Sequence, residues 1–388
     1  MTKPLAVLHV IPSISLAHGG PSRAIRLMED VQRKLGMTVF TLTTDDNGPG
    51  NRLSDSEKLD PNRHYVRKWF DFYKVAPSLV PWLIRRVRNY DVVHIHALFS
   101  FSSAAAAWAA RRAGVPYIIR PLGTLTHYGR TQRRPLLKRL SLKWIEGPLL
   151  RDAAAVHFTS LDEQREAEES GVPMRGVVIP LGIEVSEVID DSIVRSRYAA
   201  LGRAPYLLFL SRLDPKKNIE GLLRGFALCR AQWPQHKLLI AGTGDTNYVA
   251  TLVLLVNELG LKDCVIWTNH IDGALKKSAF AGATLFVLPS FSENFGIAAA
   301  EALMAGLPCV LGQGVAIAND VVAAGAGLAV ATDPDSIAAG LLKLLTDEPE
   351  LRRMAFNGAA LARGKFSVEA MGKNLVSLYE FVLSLQKK

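Results

Sequence analysis

Ser292-Glu293-Asn294-Phe295-Gly296-Ile297-Ala298-Ala299-Ala300-Glu301 decides how this chain is read. It follows an apolar run, Thr284 to Pro289, that reads as a buried strand. From Ile297 to Ala305 it becomes a run of strong helix formers, with Gly306 and Pro308 as stop signals. A strand therefore feeds a helix, and a carboxylate sits at the turn between them. The free N–H groups and positive dipole of such a helix end attract anions. Upstream, Ser211-Arg212-Leu213-Asp214-Pro215-Lys216-Lys217 follows a second apolar run, Tyr206 to Leu210, at another strand-to-helix turn. Two strand ends thus gather an anion-binding helix mouth, cations, and the carboxylates Glu293 and Glu301. That set suits a phosphorylated, hydroxyl-rich ligand.

Working outward, the second half alternates apolar and helical runs, with strands expected at Tyr206–Leu210, Lys237–Ala241, Val265–Thr268, Leu285–Leu288 and Cys309–Leu311. The first half does the same, with strands expected at Leu5–Ile11, Met37–Thr43, Val92–Ala97, Pro116–Arg120, Ala154–Thr159 and Val177–Pro180. Its helices are expected near 21–35, 76–88, 101–113, 135–150 and 161–170. Alternation of this kind specifies parallel sheets covered by helices on both faces. The fold class is α/β, two doubly wound Rossmann-like units whose strand ends face a cleft. The polar segment Thr44 to Asn62 reads as a long mobile loop. From Ser367, apolar residues recur at three- and four-residue spacing (Val368, Met371, Leu375, Leu378, Val382), which predicts one long final helix.

Composition narrows the partners. Of 388 residues, 49% are hydrophobic, and no apolar run reaches the ~18 residues of a membrane span. The start lacks the basic region and cleavage signal of a secretory peptide. Cys229, Cys264 and Cys309 are isolated and show no metal-ligand spacing, which fits a reducing, cytoplasmic setting. The net charge of +10 is confined to the first half: residues 1–182 hold 26 Lys and Arg against 16 Asp and Glu, and residues 183–388 hold 20 of each. A basic half calls for an anionic partner. His127 to Lys143 interleaves Arg130, Arg133, Arg134, Lys138, Arg139 and Lys143 with Leu136, Leu137, Leu140, Leu142 and Trp144, the pattern of a basic amphipathic helix. Trp82 to Arg88 is a shorter version. An anionic membrane surface is one candidate partner and a solvated basic face is the plain alternative. Nucleic acid is not expected, because no stacking platform accompanies the charge.

Arg212 and Lys217, followed by Glu293 and Glu301 with seven residues between them, resemble the retaining nucleotide-sugar glycosyltransferases of family 4, which have the GT-B fold. Ala241-Gly242-Thr243-Gly244 and Leu288-Pro289-Ser290 fall where that family has similar segments. The resemblance implies three parts: an acceptor domain over 1–182, a nucleotide-sugar domain over 183–366, and a final helix, 367–388, crossing back to the first domain. It implies Arg212 and Lys217 on the diphosphate, Glu293 on donor-sugar hydroxyls and Glu301 on the ribose. Glu293, Arg212 and Lys217 are then the expected catalytic set. The backbone of Asn294, Phe295, Gly296 and Ile297 would face the sugar or diphosphate, and Gly20, in His18-Gly19-Gly20-Pro21, would approach the diphosphate from the first domain. Eight residues of helix rise ~12 Å, too far for Glu293 and Glu301 to act on one bond as a glycosidase pair.

On the acceptor side the candidates are His96, at the end of His94-Ile95-His96, and Arg120, before Pro121-Leu122-Gly123. Some relatives carry a histidine in the latter loop that faces the reacting sugar; here Leu122 stands there. The two alternating histidines also suit a hydrogen-bonded pair, or two ligands of a metal lacking a third. No metal and no tightly bound cofactor is expected, only a nucleotide diphosphate sugar as donor substrate. The implied acceptor is a glycan or lipid-linked glycan of bacterial type, assembled in the cytoplasm or on the inner membrane face. Two alternatives remain open at this point: a nucleotide-sugar epimerase of the same fold, and a non-catalytic nucleotide-sugar-binding subunit.

Overall fold

Strands buried on both faces need near-continuous apolar sequence. The apolar runs form two parallel sheets in the computed structural model, which describes residues 4–131, 135–185 and 189–386. The first sheet contains β1 (Ala6–Ser13), β2 (Thr38–Thr44), β3 (Arg63–Val66), β4 (Val92–His96), β5 (Tyr117–Arg120), β6 (Ala155–Phe158) and β7 (Gly176–Val178). Their order is β3-β2-β1-β4-β5-β6-β7. The second contains β8 (Tyr206–Leu210), β9 (Lys237–Ala241), β10 (Val265–Asn269), β11 (Leu285–Leu288), β12 (Cys309–Gly312) and β13 (Gly327–Val330), in the order β10-β9-β8-β11-β12-β13. Winding reverses between β1 and β4 in one sheet and between β8 and β11 in the other. Open α/β sheets bind ligands outside the carboxyl ends of their strands at such a reversal.

The chain divides into two compact units, Met1–Gly182 with Val368–Lys388, and Ile183–Ser367. The helix Val368–Gln386 returns to the first unit and packs on the helix Gly20–Lys34. The approach is close: a Cβ on Gly372 would fall 2.5 Å from Val31 Cγ2. Met371, Leu375, Leu378 and Val382 are its buried stripe. Among the described residues, no helix is long and apolar enough to cross a membrane.

Several elements differ in detail from the sequence reading. The helix expected at 135–150 runs without interruption from Pro135 to Asp152, with a π-turn at Leu142–Glu146 inside it. Glu146 turns inward there and accepts hydrogen bonds from Tyr73 Oη (2.5 Å) and Ser141 Oγ (2.6 Å). The start of the segment after β2 is anchored, because Asp46 is buried against Lys68, Lys74 and His18, while residues 49–52 and 54–57 are exposed. Two strands, β3 and β13, carry no signal that singles them out.

Candidate active site

In the second unit, the turn after β8 runs through Arg212 into a short 3-10 turn, Pro215–Lys217, capped by the Asp214 side chain. Asn218 follows at φ 55 and caps the helix Ile219–Cys229. Its amide Nδ2 donates to the carbonyls of Pro289 (3.2 Å) and Thr332 (2.7 Å), and its Oδ1 accepts from Gly221 N at 3.2 Å. One side chain therefore holds the β8 turn against the turns after β11 and β13. Phe291 N donates to Lys216 O at 3.0 Å, and Glu293 N to Gly314 O at 2.9 Å, so the Glu293 loop lies between its neighbours on both sides.

This seating brings Lys217 and Glu293 together. Lys217 Nζ donates to Glu293 Oε1, with the lysine residue 7% exposed and the glutamate side chain 18% exposed. Arg212 is exposed and carries no ion pair among the described residues. Gly296 begins the helix Ile297–Met304 at φ 96, a conformation that strains any residue with a Cβ; an added Cβ would also meet Val315 Cγ1 at 2.9 Å. The first intrahelical bond runs from Ala300 N to Gly296 O. The N–H groups of Ile297, Ala298 and Ala299 therefore have no partner within the helix. Phe295 is buried edge-on against Phe366, while Asn294 and Ile297 are exposed. Glu301, one face further along the helix, accepts from Lys276 Nζ at 2.6 Å.

Lys276 and Asn218 were not singled out from the sequence. Lys276 lies on the separate helix Gly273–Ala281, and no spacing ties it to Glu301. Asn218 did leave a signal, an Asn directly before a helical run, which is a capping pattern.

In the first unit, Gly20 opens the helix Gly20–Lys34 directly after the β1 turn, behind Gly19 at φ 73. His18 Nε2 lies 3.1 Å from Asp46 Oδ2. His96 and Arg120, expected on the acceptor side, are interior residues, 0% and 2% exposed. His96 belongs to a network with His9, His94, His157, Gln32 and Tyr379, and its hydrogens follow by elimination. Ile179 O can only accept, so His157 Nε2 carries a hydrogen (2.9 Å) and its Nδ1 accepts from His94 Nε2 (3.3 Å). His94 Nδ1 then accepts from Tyr379 Oη (2.9 Å), which accepts from Gln32 Nε2 (2.9 Å). Gln32 Oε1 accepts from His9 Nε2 (2.8 Å), and His9 Nδ1 accepts from His96 Nε2 (2.9 Å). His96 Nδ1 ends the chain as a buried acceptor without a partner.

Every imidazole in this network must be neutral for the pattern to hold. Burial, and then the neighbouring histidines and Arg120, push His94 and His96 well below the ordinary histidine range. His157 is pushed down to about 3, first by burial and next by Arg120. Burial also lowers the Arg120 guanidinium to about 10, with Glu163 acting in the opposite direction. His9, His94 and His96 bring ring nitrogens within 4.8 Å of one another, a spacing that could hold a metal ion. All but one of those nitrogens already have hydrogen-bond partners, so the cluster reads as an ordered network.

Two parallel sheets wound in this way, with paired cations and carboxylates at the reversal point of the second, have the GT-B architecture. Residues 19–182 match the family model described as "Glycosyl transferase 4-like domain", and residues 192–360 match "Glycosyl transferases group 1". The chain belongs to glycosyltransferase family 4. It is 25% identical over 372 residues to the alpha-monoglucosyldiacylglycerol synthase of Streptococcus pneumoniae, covering 93% of this chain and 82% of that protein. It is 27% identical to the GDP-mannose:cellobiosyl-diphosphopolyprenol alpha-mannosyltransferase of Xanthomonas oryzae, covering 83% and 86%. In fold it is similar to Anabaena HepE, solved in complex with UDP-glucose, with TM-score 0.74 and 18% identity over 97% of this chain and all of that one.

Proposed function

We propose that this glycosyltransferase moves a sugar from a nucleoside diphosphate donor to a hydroxyl of a lipid-linked glycan, with retention of anomeric configuration. The observation that carries this reading is the seating of Lys217 against Glu293 beside an open helix N-terminus and the exposed Arg212. Donor entry exchanges the Lys217–Glu293 pair for two new contacts, the ammonium on a diphosphate oxygen and the carboxylate on a sugar hydroxyl. Arg212 adds a two-pronged grip on phosphate. Glu301 takes the ribose, steered by Lys276. The anomeric carbon–phosphate oxygen bond breaks while the acceptor oxygen bonds to that carbon on the same face. The acceptor proton passes to the departing phosphate oxygen. Fixed cations stabilise the charge gathering there. The second unit holds the donor and the first the acceptor; the interior positions of His96 and Arg120 give them a supporting part in the first unit in place of direct contact.

The two carboxylates should separate in kinetics. Glu301→Gln should mainly weaken nucleotide binding, because a ribose contact persists throughout the reaction. Glu293→Gln should lower kcat more than donor affinity if its sugar contact tightens at the transition state. Competition by the sugar-free nucleoside diphosphate is the check. If both variants lose that competition equally, the division is wrong.

A lipid-linked acceptor is supported by the diacylglycerol and polyprenol named in the relatives above. It is also supported by the face at 136–145, where Leu136 and Trp144 are 75% and 71% exposed among Lys138, Arg139 and Lys143. Arg133 and Arg134 lie outside the described residues. On this reading the protein sediments with anionic vesicles more than with neutral ones, and salt weakens the attachment. Each basic residue near the surface contributes ~1 kcal/mol, so Arg139→Gln with Lys143→Gln should weaken attachment by roughly tenfold or more. Nucleotide binding should be unchanged. Equal sedimentation with both vesicle types at low salt would remove the membrane from the account.

A further inference from the structure

A cavity of about 390 Å³ opens at the edge of the first sheet, between β3 and the helix Leu79–Arg86. It stands two strands away from the β1/β4 reversal. We propose that this cavity is a second saccharide site, which holds a carboxylate- or phosphate-bearing sugar of the acceptor glycan at a distance from the reacting hydroxyl. The proposal rests on the reading of the acceptor as a glycan.

Charge is the first ground. Arg67, Arg85 and Arg86 all line the cavity, and among the described residues no carboxylate does. Arg67 and Arg85 have no ion-pair partner among the described residues, and Arg86 lies over the Trp82 ring at 5.7 Å. Arg63, at the start of the same strand, is paired with Glu29 and Asp60. The strand edge thus neutralises one arginine with two acids and leaves the next group uncompensated. Three like charges around one hollow repel one another until an anion enters, and a guanidinium matches carboxylate or phosphate through two parallel hydrogen bonds.

Shape is the second. Trp82 is fixed flat, stacked on Phe40 (centroids 5.8 Å, 16°) and on His64 (5.5 Å, 17°). Pro81 and Val66 extend this apolar wall, and Ser78 adds a hydroxyl. The Trp82 faces carry Phe40, His64 and Arg86, so the apolar contact offered to a pyranose ring comes from Pro81 and Val66, and the volume lies within the range of small-ligand pockets. Burial, and next Arg86, hold His64 below the usual histidine range, so its neutral ring can hydrogen-bond a sugar hydroxyl.

The test is calorimetric titration with glucose 6-phosphate, glucuronate, glucose and inorganic phosphate. Both charged sugars should bind at least tenfold more tightly than glucose, and glucose 6-phosphate more tightly than phosphate. The triple variant Arg67→Gln, Arg85→Gln, Arg86→Gln should lose tenfold or more for both charged sugars while keeping its unfolding temperature, since all three side chains are exposed. Arg212→Ala, which strikes the donor site, should keep this binding, so failure of the donor reading would show separately. Unchanged binding in the triple variant overturns the proposal. So does inorganic phosphate binding as tightly as glucose 6-phosphate, because the site would then read an anion alone. If neither charged sugar binds and the triple variant instead loses attachment to phosphatidylglycerol vesicles, the arginines serve a membrane and the proposal falls.

Discussion

Lys217→Ala should lower kcat/KM for sugar transfer by ~30- to 1000-fold, equivalent to ~2–4 kcal/mol, the cost of losing one preorganised group aimed at developing charge. Arg212→Ala should fall in the same range. The donor for the assay is the nucleotide sugar that best raises the unfolding temperature of the purified protein. Lys217 also neutralises Glu293, and that second effect can be separated. If Lys217 served only its neighbour, Lys217→Ala with Glu293→Gln would be no slower than Glu293→Gln alone. The diphosphate role requires the double variant to be slower than either single variant. Near-normal transfer by a folded Lys217→Ala protein, or a double variant no slower than Glu293→Gln, would refute it.

Acid should unfold the first unit through its histidines. A buried histidine whose pKa is lowered on folding binds its proton only in the unfolded chain. Its contribution is therefore complete above about pH 6.5, the unfolded value, and is lost as pH falls below it. Each histidine that stays neutral in the native state costs ~1.4 kcal/mol per pH unit in that window. His94, His96 and His157 are all depressed far enough to count together. Between pH 6 and pH 5 the loss should approach ~4 kcal/mol, a large part of a normal domain's stability. Denaturant midpoints across pH 5–8 measure it. His157→Gln, which removes one titrating group, should flatten the slope even if it lowers stability at neutral pH. A flat profile between pH 7 and pH 5 would mean that the rings are not neutral or not sealed.

Much of this architecture is legible in the sequence, for a physical reason. Central parallel strands such as Tyr206–Leu210 and Leu285–Leu288 are apolar on both faces, and no surface pattern competes with that signal. The edge strand Arg63–Val66 reads Arg-His-Tyr-Val, half of it facing solvent, and disappears among loop residues. Glu146, in the π-turn at Leu142–Glu146, meets Tyr73, seventy-three positions before it. The anchored start of the loop after β2 is set likewise by Lys68 and Lys74 reaching back to Asp46. At the candidate site, the turns that present Arg212, Lys217 and Glu293 are local events, strand then helix, and so they are readable. Lys276 opposite Glu301, and the bonds of Asn218 to Pro289 and Thr332, exist only once separate strands lie side by side. His96 and Arg120 illustrate the same limit in reverse: sequence places them at strand ends but is silent on what covers them.

Tyr379 donates the bond that fixes the tautomer of His94, and it lies on the returning helix. On the ribosome, residues 1–182 emerge first, yet their unit lacks Tyr379 and the helix stripe that seals it. The other unit, Ile183–Ser367, is continuous and needs nothing made later. Synthesis and maturation therefore run in opposite order: the half that is translated first is completed last. Until the closing helix arrives, His94 and Gln32 lack the Tyr379 hydroxyl that joins them.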